Sequence, residues 1–301
     1  METTIQKTIN RLSEIRDQVI LLLSVYSKIK RTIYPGDGII SMSGNYSYEG
    51  LPTDAIPLQD KILKDFNIQF NIIEALIIDS AEQHKKHIND NKKIILRFIL
   101  QDHRTWESSI AQAIDTLKKS FIKIMNELSQ LYPYNDPRPI VIPDTNALYY
   151  NTEIEKWYFN DFNKFSIALT PSVLKDLDKH KIEHKNDSVR LKAIKLINMI
   201  KEYRRRGKLT DGVIIRKDFI DLRSIAIEPD FSKTLKWLDE KNEDDRLIAE
   251  AFEIMRSNCS RPAYIVTADI NLQNKCEVAD FSFIEPPEKT EKMTSRTKQK
   301  K

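Results

Sequence analysis

Apolar residues in the first part of the chain recur every three or four positions, a spacing that is typical of amphipathic helices. One such stripe runs from Ile5 to Ile29, a second from Ile62 to Ile77, and a weaker third from Ile88 to Ile99. A fourth extends from Trp106 to Leu131. The Ser-, Gly-, Pro- and Asn-rich run that ends at Pro57 predicts an extended loop between the first two helices.

Four helices joined by short links pack as an up-and-down bundle, so we predict an all-α helical bundle domain over residues 1–132. The apolar faces are broad, which favours a bundle core. Their spacing also resembles heptads, so an alternative is that these helices mediate a homo-oligomer or bind a protein partner.

The hydrophobic pattern changes after the proline-rich segment 133–139, which we interpret as a linker. Short apolar runs at Ile140–Ile142, Ser166–Leu169 and Ala263–Val266 predict strands. Helical patterns lie between them. Strands that alternate with helices predict an α/β domain over residues 140–285, with three α/β/α layers and a central parallel sheet.

The remaining segments of this half complete the prediction. Helices are expected at Glu153–Phe162, Val173–Lys179, Val189–Arg206 and Asp245–Arg256. The alternating apolar residues of Val213–Ile227 fit either a pair of strands or a loop. Residues 286–301 are rich in Lys, Glu, Thr and Ser, which predicts a disordered basic tail.

The charge and the cysteine content indicate which cellular compartment and which kinds of partner to expect. The chain has 48 Lys and Arg against 44 Asp and Glu, a balance that by itself does not indicate nucleic acid. Residues 181–217, however, hold 12 Lys and Arg against 4 Asp and Glu. Two cysteines are too few for a disulfide framework, which favours a reducing, cytoplasmic compartment. The polar first residues and the short apolar run Val19–Val25 predict neither a secretory signal nor a membrane association.

Acidic residues recur where predicted strands end or helices begin. Asp144 and Asp269 follow the first and last predicted strands, and Asp176 lies in the helix after the second. The pair Asp244 and Asp245 opens a later helix. Because the carboxyl ends of parallel strands meet at one edge of a sheet, we expect these acids to converge there.

The local sequences around these acids resemble the signature of the PIN-domain nucleases. That family has an acid after its first strand, an acid before Leu in a helix, an Asp in an Asp-x-x-Ile-Ala helix and a Thr-x-Asp after a late strand. This chain supplies, in the same order, Asp144-Thr145-Asn146, Asp176-Leu177, Asp245-Arg246-Leu247-Ile248-Ala249 and Thr267-Ala268-Asp269. The resemblance covers Pro139–Pro286 and implies a PIN-like domain.

One position departs from the family pattern. The second acid is usually Glu, whereas this chain has the shorter Asp176. Asp178 or Glu183 is therefore an alternative to Asp176 at that place, although Asp176 is favoured.

Carboxylates that are brought together repel one another, and a bound divalent cation or protonation relieves the repulsion. All-oxygen ligands suit Mg²⁺ or Mn²⁺, as one or two ions. The resemblance implies that the catalytic and metal-ligating residues are Asp144, Asp176, Asp245 and Asp269. Supporting hydrogen bonds are expected from Asn146, Thr267 and Asp244. For Thr267 and Asp244 the alternative is a role in capping a turn or helix.

The resemblance implies a divalent-metal-dependent endoribonuclease that hydrolyses phosphodiester bonds, with a toxin or defence role as one hypothesis. RNA is the expected substrate and single-stranded DNA the second choice. The alternatives are a structure-specific DNA nuclease and a non-catalytic PIN-like scaffold that binds RNA or protein.

Nucleic-acid-binding residues are expected on the basic stretch. Much of it occupies one helix whose apolar positions Leu191, Ile194, Ile197 and Ile200 should face inward, leaving the basic side chains in solvent. An ordinary solvated helix face is the alternative. The candidate residues are Lys181, Lys185, Arg190, Lys192, Lys195, Arg204, Arg205 and Arg206.

Overall fold

The structure, a computed structural model, describes residues 2–31, 46–101, 104–133, 136, 138–226 and 228–288. The chain divides into two compact units, Ile5–Pro133 and Tyr134–Lys301 with the first four residues. Within the described ranges, no helix combines the length and apolar character needed to cross a bilayer.

The N-terminal part is largely helical. Its helices are α1 (Thr4–Leu21), α2 (Ile56–Ile77), α3 (Glu82–Leu100) and α4 (Ile110–Leu131). Helix α2 packs on α3, and α3 packs on α4. The stripes of the sequence form the core between them, where fully buried side chains include Phe66, Phe70, Phe98 and Phe121.

Two short strands add to these helices. After α1, a π-helical turn ends at Tyr26, and Ile29 begins the strand β1 (Ile29–Arg31), which pairs antiparallel with β2 (Tyr46–Tyr48). The first predicted helix, which extends to Ile29, is therefore too long. The extended loop predicted after it is wrong at Tyr46–Tyr48, where β2 forms. Strands of three residues are too short to show a period of two. The rest of that loop up to residue 45 lies outside the described residues.

The fourth stripe also begins too early. Trp106 precedes α4 and is 63% exposed. Ser109 caps the helix instead, because its side chain accepts a hydrogen bond from the Gln112 backbone N–H at 3.3 Å.

A mainly parallel, six-stranded sheet with flanking helices forms the C-terminal half, as the sequence predicts. Its strands are β3 (Ile140–Pro143), β4 (Phe165–Leu169), β5 (Val213–Arg216), β6 (Ile220–Ser224), β7 (Ala263–Val266) and β8 (Phe283–Ile284). They are ordered β5-β6-β4-β3-β7-β8. Only β5 runs antiparallel to its neighbour within this described sheet. The ambiguous segment thus holds a strand pair, β5 and β6.

The helices of this half are α5 (Thr145–Tyr150), α6 (Pro171–Glu183), α7 (Asp187–Arg206), α8 (Glu243–Ser257) and α9 (Ile270–Val278). Helices α6, α7 and α8 confirm the predicted segments. The helix predicted over Glu153–Phe162 is wrong, because only Ile154–Lys156 forms a short 3₁₀ turn. Its aromatic residues pack together instead, with Trp157 fully buried against Phe159.

Strand register sets the start of the acidic edge. Pro143 lies opposite Val266 in the parallel pair of β3 and β7. The next residues, Asp144 and Thr267, therefore leave the sheet side by side, and the Asp144 N–H donates to the Val266 carbonyl at 3.1 Å.

A buried arginine ties the opposite edge of the sheet, where the strands begin. Arg261 is 6% exposed and donates to the Arg138 carbonyl and to the Ser166 hydroxyl, both at 2.8 Å. These bonds join the starts of β3, β4 and β7. Of the predicted tail, residues 289–301 lie outside the described residues.

Candidate functional site

Asp144 stands at the centre of the carboxyl edge of the sheet. It follows β3, the strand between β4 and β7, and it caps α5. Its Oδ1 accepts a hydrogen bond from the Ala147 N–H at 2.5 Å, and its Oδ2 accepts one from the Thr267 hydroxyl at 2.5 Å. The residue is only 7% exposed. Both carboxylate oxygens are thus held in a defined orientation.

Thr267 connects two of the predicted acids. Besides donating to Asp144, its hydroxyl oxygen accepts a hydrogen bond from the Asp269 N–H at 3.0 Å. Asp269 in turn caps α9 by accepting from the Asn271 N–H at 2.8 Å. The fully buried Thr267 hydroxyl thereby ties the ends of β3 and β7 together.

A prediction follows for Thr267→Val, which keeps the side-chain shape and removes the hydroxyl. The change leaves a buried Asp144 oxygen and the Asp269 N–H without this partner, so the free energy of unfolding should fall by roughly 1–3 kcal/mol. Urea denaturation measures it, with the exposed Thr210→Val as the matched control. Equal stabilities of the two variants would show that the Thr267 bonds contribute nothing.

The first turn of α8 supplies further acids. Asn242 caps this helix by accepting from the N–H groups of Asp244 and Asp245 at 3.0 and 3.2 Å. Asp244 is therefore not the cap of this helix. Asp245 is 6% exposed, and its Oδ2 accepts a hydrogen bond from the Asp239 N–H at 2.9 Å.

A lysine lies among these acids. The Lys275 ammonium on α9 is 2.7 Å from Asp245 Oδ1, an ion pair whose angles fall short of a directed hydrogen bond. It donates to Asp244 Oδ2 at 3.2 Å and to the Asn242 side chain at 2.8 Å. The lysine thus links α9 to the start of α8 and offsets part of the negative charge.

Asp176 joins the edge through α6. Its Oδ2 accepts a hydrogen bond from the Thr145 hydroxyl at 3.2 Å, directly beside Asp144 in sequence. Glu243, the first residue of α8, is near enough to raise the pKa of Asp176. The neighbouring Tyr149 hydroxyl is 2.9 Å from His180 Nδ1, and burial together with Asp176 raises the pKa of Tyr149 to about 12.

The pKa of Asp144 reports the charge around it. Burial raises this pKa, and the hydrogen bonds from Thr267 and Ala147 lower it part of the way. The carboxylates of Asp269 and Asp244 raise it again, so that it lies above its ordinary value. Asp144 is therefore electrostatically coupled to Asp269 and to Asp244. For Asp176 too, burial and Glu243 outweigh the Thr145 bond and raise the pKa.

The donor chemistry fits a hard divalent cation, because the group consists of carboxylate oxygens with more negative charge than Lys275 can balance. The spacing is wider than one ion requires: within the described ranges, no three His, Cys, Asp or Glu side chains are grouped closely enough to hold an ion. Asp269 and Asp244 are the acids whose charges act on Asp144. Asp244 shares Lys275 with the predicted ligand Asp245, whose other oxygen accepts from the Asp239 N–H.

Other candidates lie away from this group. Asn146 is exposed, and its side chain forms no hydrogen bond with another described residue. Asp178 and Glu183, the alternatives to Asp176, are also exposed, and Asp178 faces a different side of α6. The structure thus brings Asp176, and neither alternative, to the edge.

The basic candidates lie along the end of α6 and on α7. Arg190 pairs with Asp187 at 2.7 Å and Arg205 with Glu202 at 3.0 Å, while Lys195 donates to Thr152 at 3.1 Å. Arg206 lies over the ring of Tyr203. Lys181, Lys185 and Lys192 carry no ion pair with a described residue, and Arg204 borders a cavity. Of the apolar positions predicted to face inward, Leu191 is wrong, because it is 65% exposed.

Sequence reasoning did not single out Lys275, Glu243 or Asn242. Asn242 had a usable signal, since Asn before an acidic first turn is typical of a helix start. Lys275 had no such signal. Its partners lie 30 or more positions away in the sequence, and α9 is too short to show a hydrophobic period.

The C-terminal half is thus an α/β domain with a mainly parallel sheet, and it carries several acids at the carboxyl edge of that sheet. Residues 141–284 match the family model described as PIN domain, and the C-terminal half of the chain is a PIN domain. Such domains are typically nucleases. None of the curated proteins matches the chain significantly.

Proposed function

We propose that the protein is a divalent-metal-dependent endoribonuclease. The observation that carries this proposal is the coupling of Asp144 with Asp269 and Asp244 at one edge of the sheet, although the three arrive from different parts of the chain. A cap or a turn needs a single acid. Several mutually repelling acids in a partly buried place favour a cation site.

Each residue of the site has a role in this proposal. Asp144 and Asp269, with Asp244 from α8, would hold the ion, and Asp176 would extend the acidic group on the side of Thr145. Thr267 fixes the orientation of the Asp144 carboxylate by donating to its Oδ2. Asp245 holds Lys275, and Lys275 limits the repulsion within the group.

The chemistry that such an ion supplies when bound is activation of a water molecule and stabilisation of negative charge on the scissile phosphate. The chain contributes fixed carboxylates whose orientation needs little rearrangement. Glu243 and Asp176, whose charges repel one another, offer a second acidic position beside the first.

RNA is the favoured substrate because the resemblance points mainly to ribonucleases and because α7 presents basic side chains in solvent. The test is a panel of unstructured RNA, single-stranded DNA and flap DNA, incubated with the protein and Mn²⁺ or Mg²⁺. We expect internal cuts in RNA at rates well above those on either DNA. Cleavage of DNA but not of RNA would make DNA the substrate in place of RNA. Cleavage of none of the three would contradict the proposal.

A further inference from the structure

A concave feature of the C-terminal half lies between α6, α7 and the end of β6. It is a cavity of about 420 Å³, within the range of sites that take small ligands or parts of larger ones. It belongs to no part of the acidic site. Its floor is apolar, with Ile197, Ile200 and Leu209 largely buried beneath it.

The border of this cavity is positively charged. Lys201, Arg204 and Lys208 line it, against the single carboxylate of Asp178. All three cations are exposed, and none forms an ion pair with another described residue. This contrasts with Arg205 in the same helix turn, which pairs with Glu202 at 3.0 Å. Unpaired cations around one cavity leave positive charge available for an anionic ligand.

Hydroxyl groups complete the lining. Ser224, the last residue of β6, and Thr210 both face the cavity. An apolar floor, two hydroxyls and a cationic border together suit a nucleotide, whose base packs on aliphatic side chains and whose phosphate binds Lys and Arg. Arg204 offers a planar group suited to a phosphate or to the face of a base.

The place of the cavity in the fold relates it to the acidic site. Strand β6 runs parallel to β4, and β4 runs parallel to β3, so that Ser224 and Asp144 lie at the same edge of the sheet. Two strand spacings separate them along that edge, about 10 Å. Helix α6 borders both places, with Asp176 toward Thr145 and Leu174 toward the cavity. A nucleic acid strand that crosses the first turns of α6 would reach both.

We propose that this cavity binds a nucleotide of the RNA strand at a distance from the bond that is cut. The proposal rests on the proposed function for the identity of the strand. A nucleotide held there would fix which phosphate reaches Asp144, and would make cleavage depend on RNA that extends past the acidic site.

The test measures affinity of the full-length Asp144→Asn protein for a labelled RNA of about ten nucleotides, so that binding is read without cleavage. Lys208→Ala and Arg204→Ala are added together, and the matched control is the exposed pair Lys217→Ala with Lys236→Ala, which removes the same charge away from the cavity. Affinity should fall about tenfold in the cavity double variant and less than twofold in the control. The slope of log affinity against log salt should fall by about 0.7 in magnitude, since one phosphate of single-stranded RNA loses its cationic contacts.

Equal losses in both double variants would overturn the cavity proposal and assign the effect to the loss of net positive charge. If the cavity double variant binds free nucleoside monophosphate more weakly but binds RNA like its control, the assignment to the RNA strand is overturned. Cleavage by the parent chain, measured alongside, separates the two proposals. If the parent cleaves RNA but the cavity variant binds like its control, the cavity proposal fails alone. If the parent does not cleave but the cavity variant loses RNA affinity, the nuclease proposal fails alone.

Discussion

Asp144→Asn should lose RNA cleavage by about a thousandfold or more. The change removes a charge from the centre of the coupled acids and keeps the side-chain size. Charge stabilisation by a bound ion is worth several kcal/mol, and each 1.36 kcal/mol is tenfold in rate. Single-turnover cleavage of labelled RNA with excess protein and Mn²⁺ measures the effect.

The same variant should fold as well as the parent chain. Burial raises the pKa of Asp144, so ionising it above that pKa costs stability in the folded protein. Asn carries no charge, which relieves this cost, but it has one acceptor oxygen where Asp144 uses two, so its unfolding free energy without metal at pH 7 should lie within about 1 kcal/mol of the parent's. The stability of the variant relative to the parent should fall as the pH falls toward 3.8, the ordinary value. A variant that is folded yet cleaves like the parent would refute the role of Asp144.

Lys275→Met should lower the free energy of unfolding at pH 7 by roughly 1–3 kcal/mol, because Asp245 is buried and loses its cationic partner. Burial lowers the pKa of Lys275, but the bonds and charges of Asp245 and Asp244 outweigh it and raise the pKa above 10.5. The contribution is therefore present at neutral pH and is lost as the pH rises through that raised pKa.

The control for this prediction is Lys241→Met, an exposed lysine without an ion pair to any described residue. Urea denaturation compares the two variants with the parent. Under the proposed function, Mn²⁺ should also raise the thermal midpoint of Lys275→Met more than that of the parent, because the cation compensates the lost ammonium. Identical denaturation curves for both variants would show that the Lys275 ion pairs do not contribute to the free energy of unfolding.

The fold was most predictable for elements whose buried faces give a clear hydrophobic pattern in the sequence. Strand β7 has the predicted bounds, Ala263–Val266, because a strand covered on both faces reads as a short apolar run. The long helices α6, α7 and α8 were predictable from their period. Helices α5 and α9 were missed because they are six and nine residues long, and neither shows a usable hydrophobic period.

The acids could be predicted individually, and their partners could not. Asp144 and Asp269 follow strands and carry local signals, whereas the bond from Thr145 to Asp176 depends on how α6 packs against the start of α5. The orientation of Asp245 toward Lys275 likewise depends on how α8 and α9 meet. Contacts between residues far apart in sequence leave no trace in a local pattern, and the choice between Asp244 and Asp245 as the acid whose charge acts on Asp144 rests on them.

The central claim is that the acids at the carboxyl edge hold a divalent cation for phosphodiester hydrolysis. Its most direct test is the single-turnover rate of RNA cleavage by chelator-treated protein as Mn²⁺ is titrated back. We expect no cleavage without the ion, a saturable rise with it in the parent chain, and no such rise in Asp144→Asn. Full cleavage in the presence of excess chelator, or the same Mn²⁺ response in both proteins, would contradict the claim.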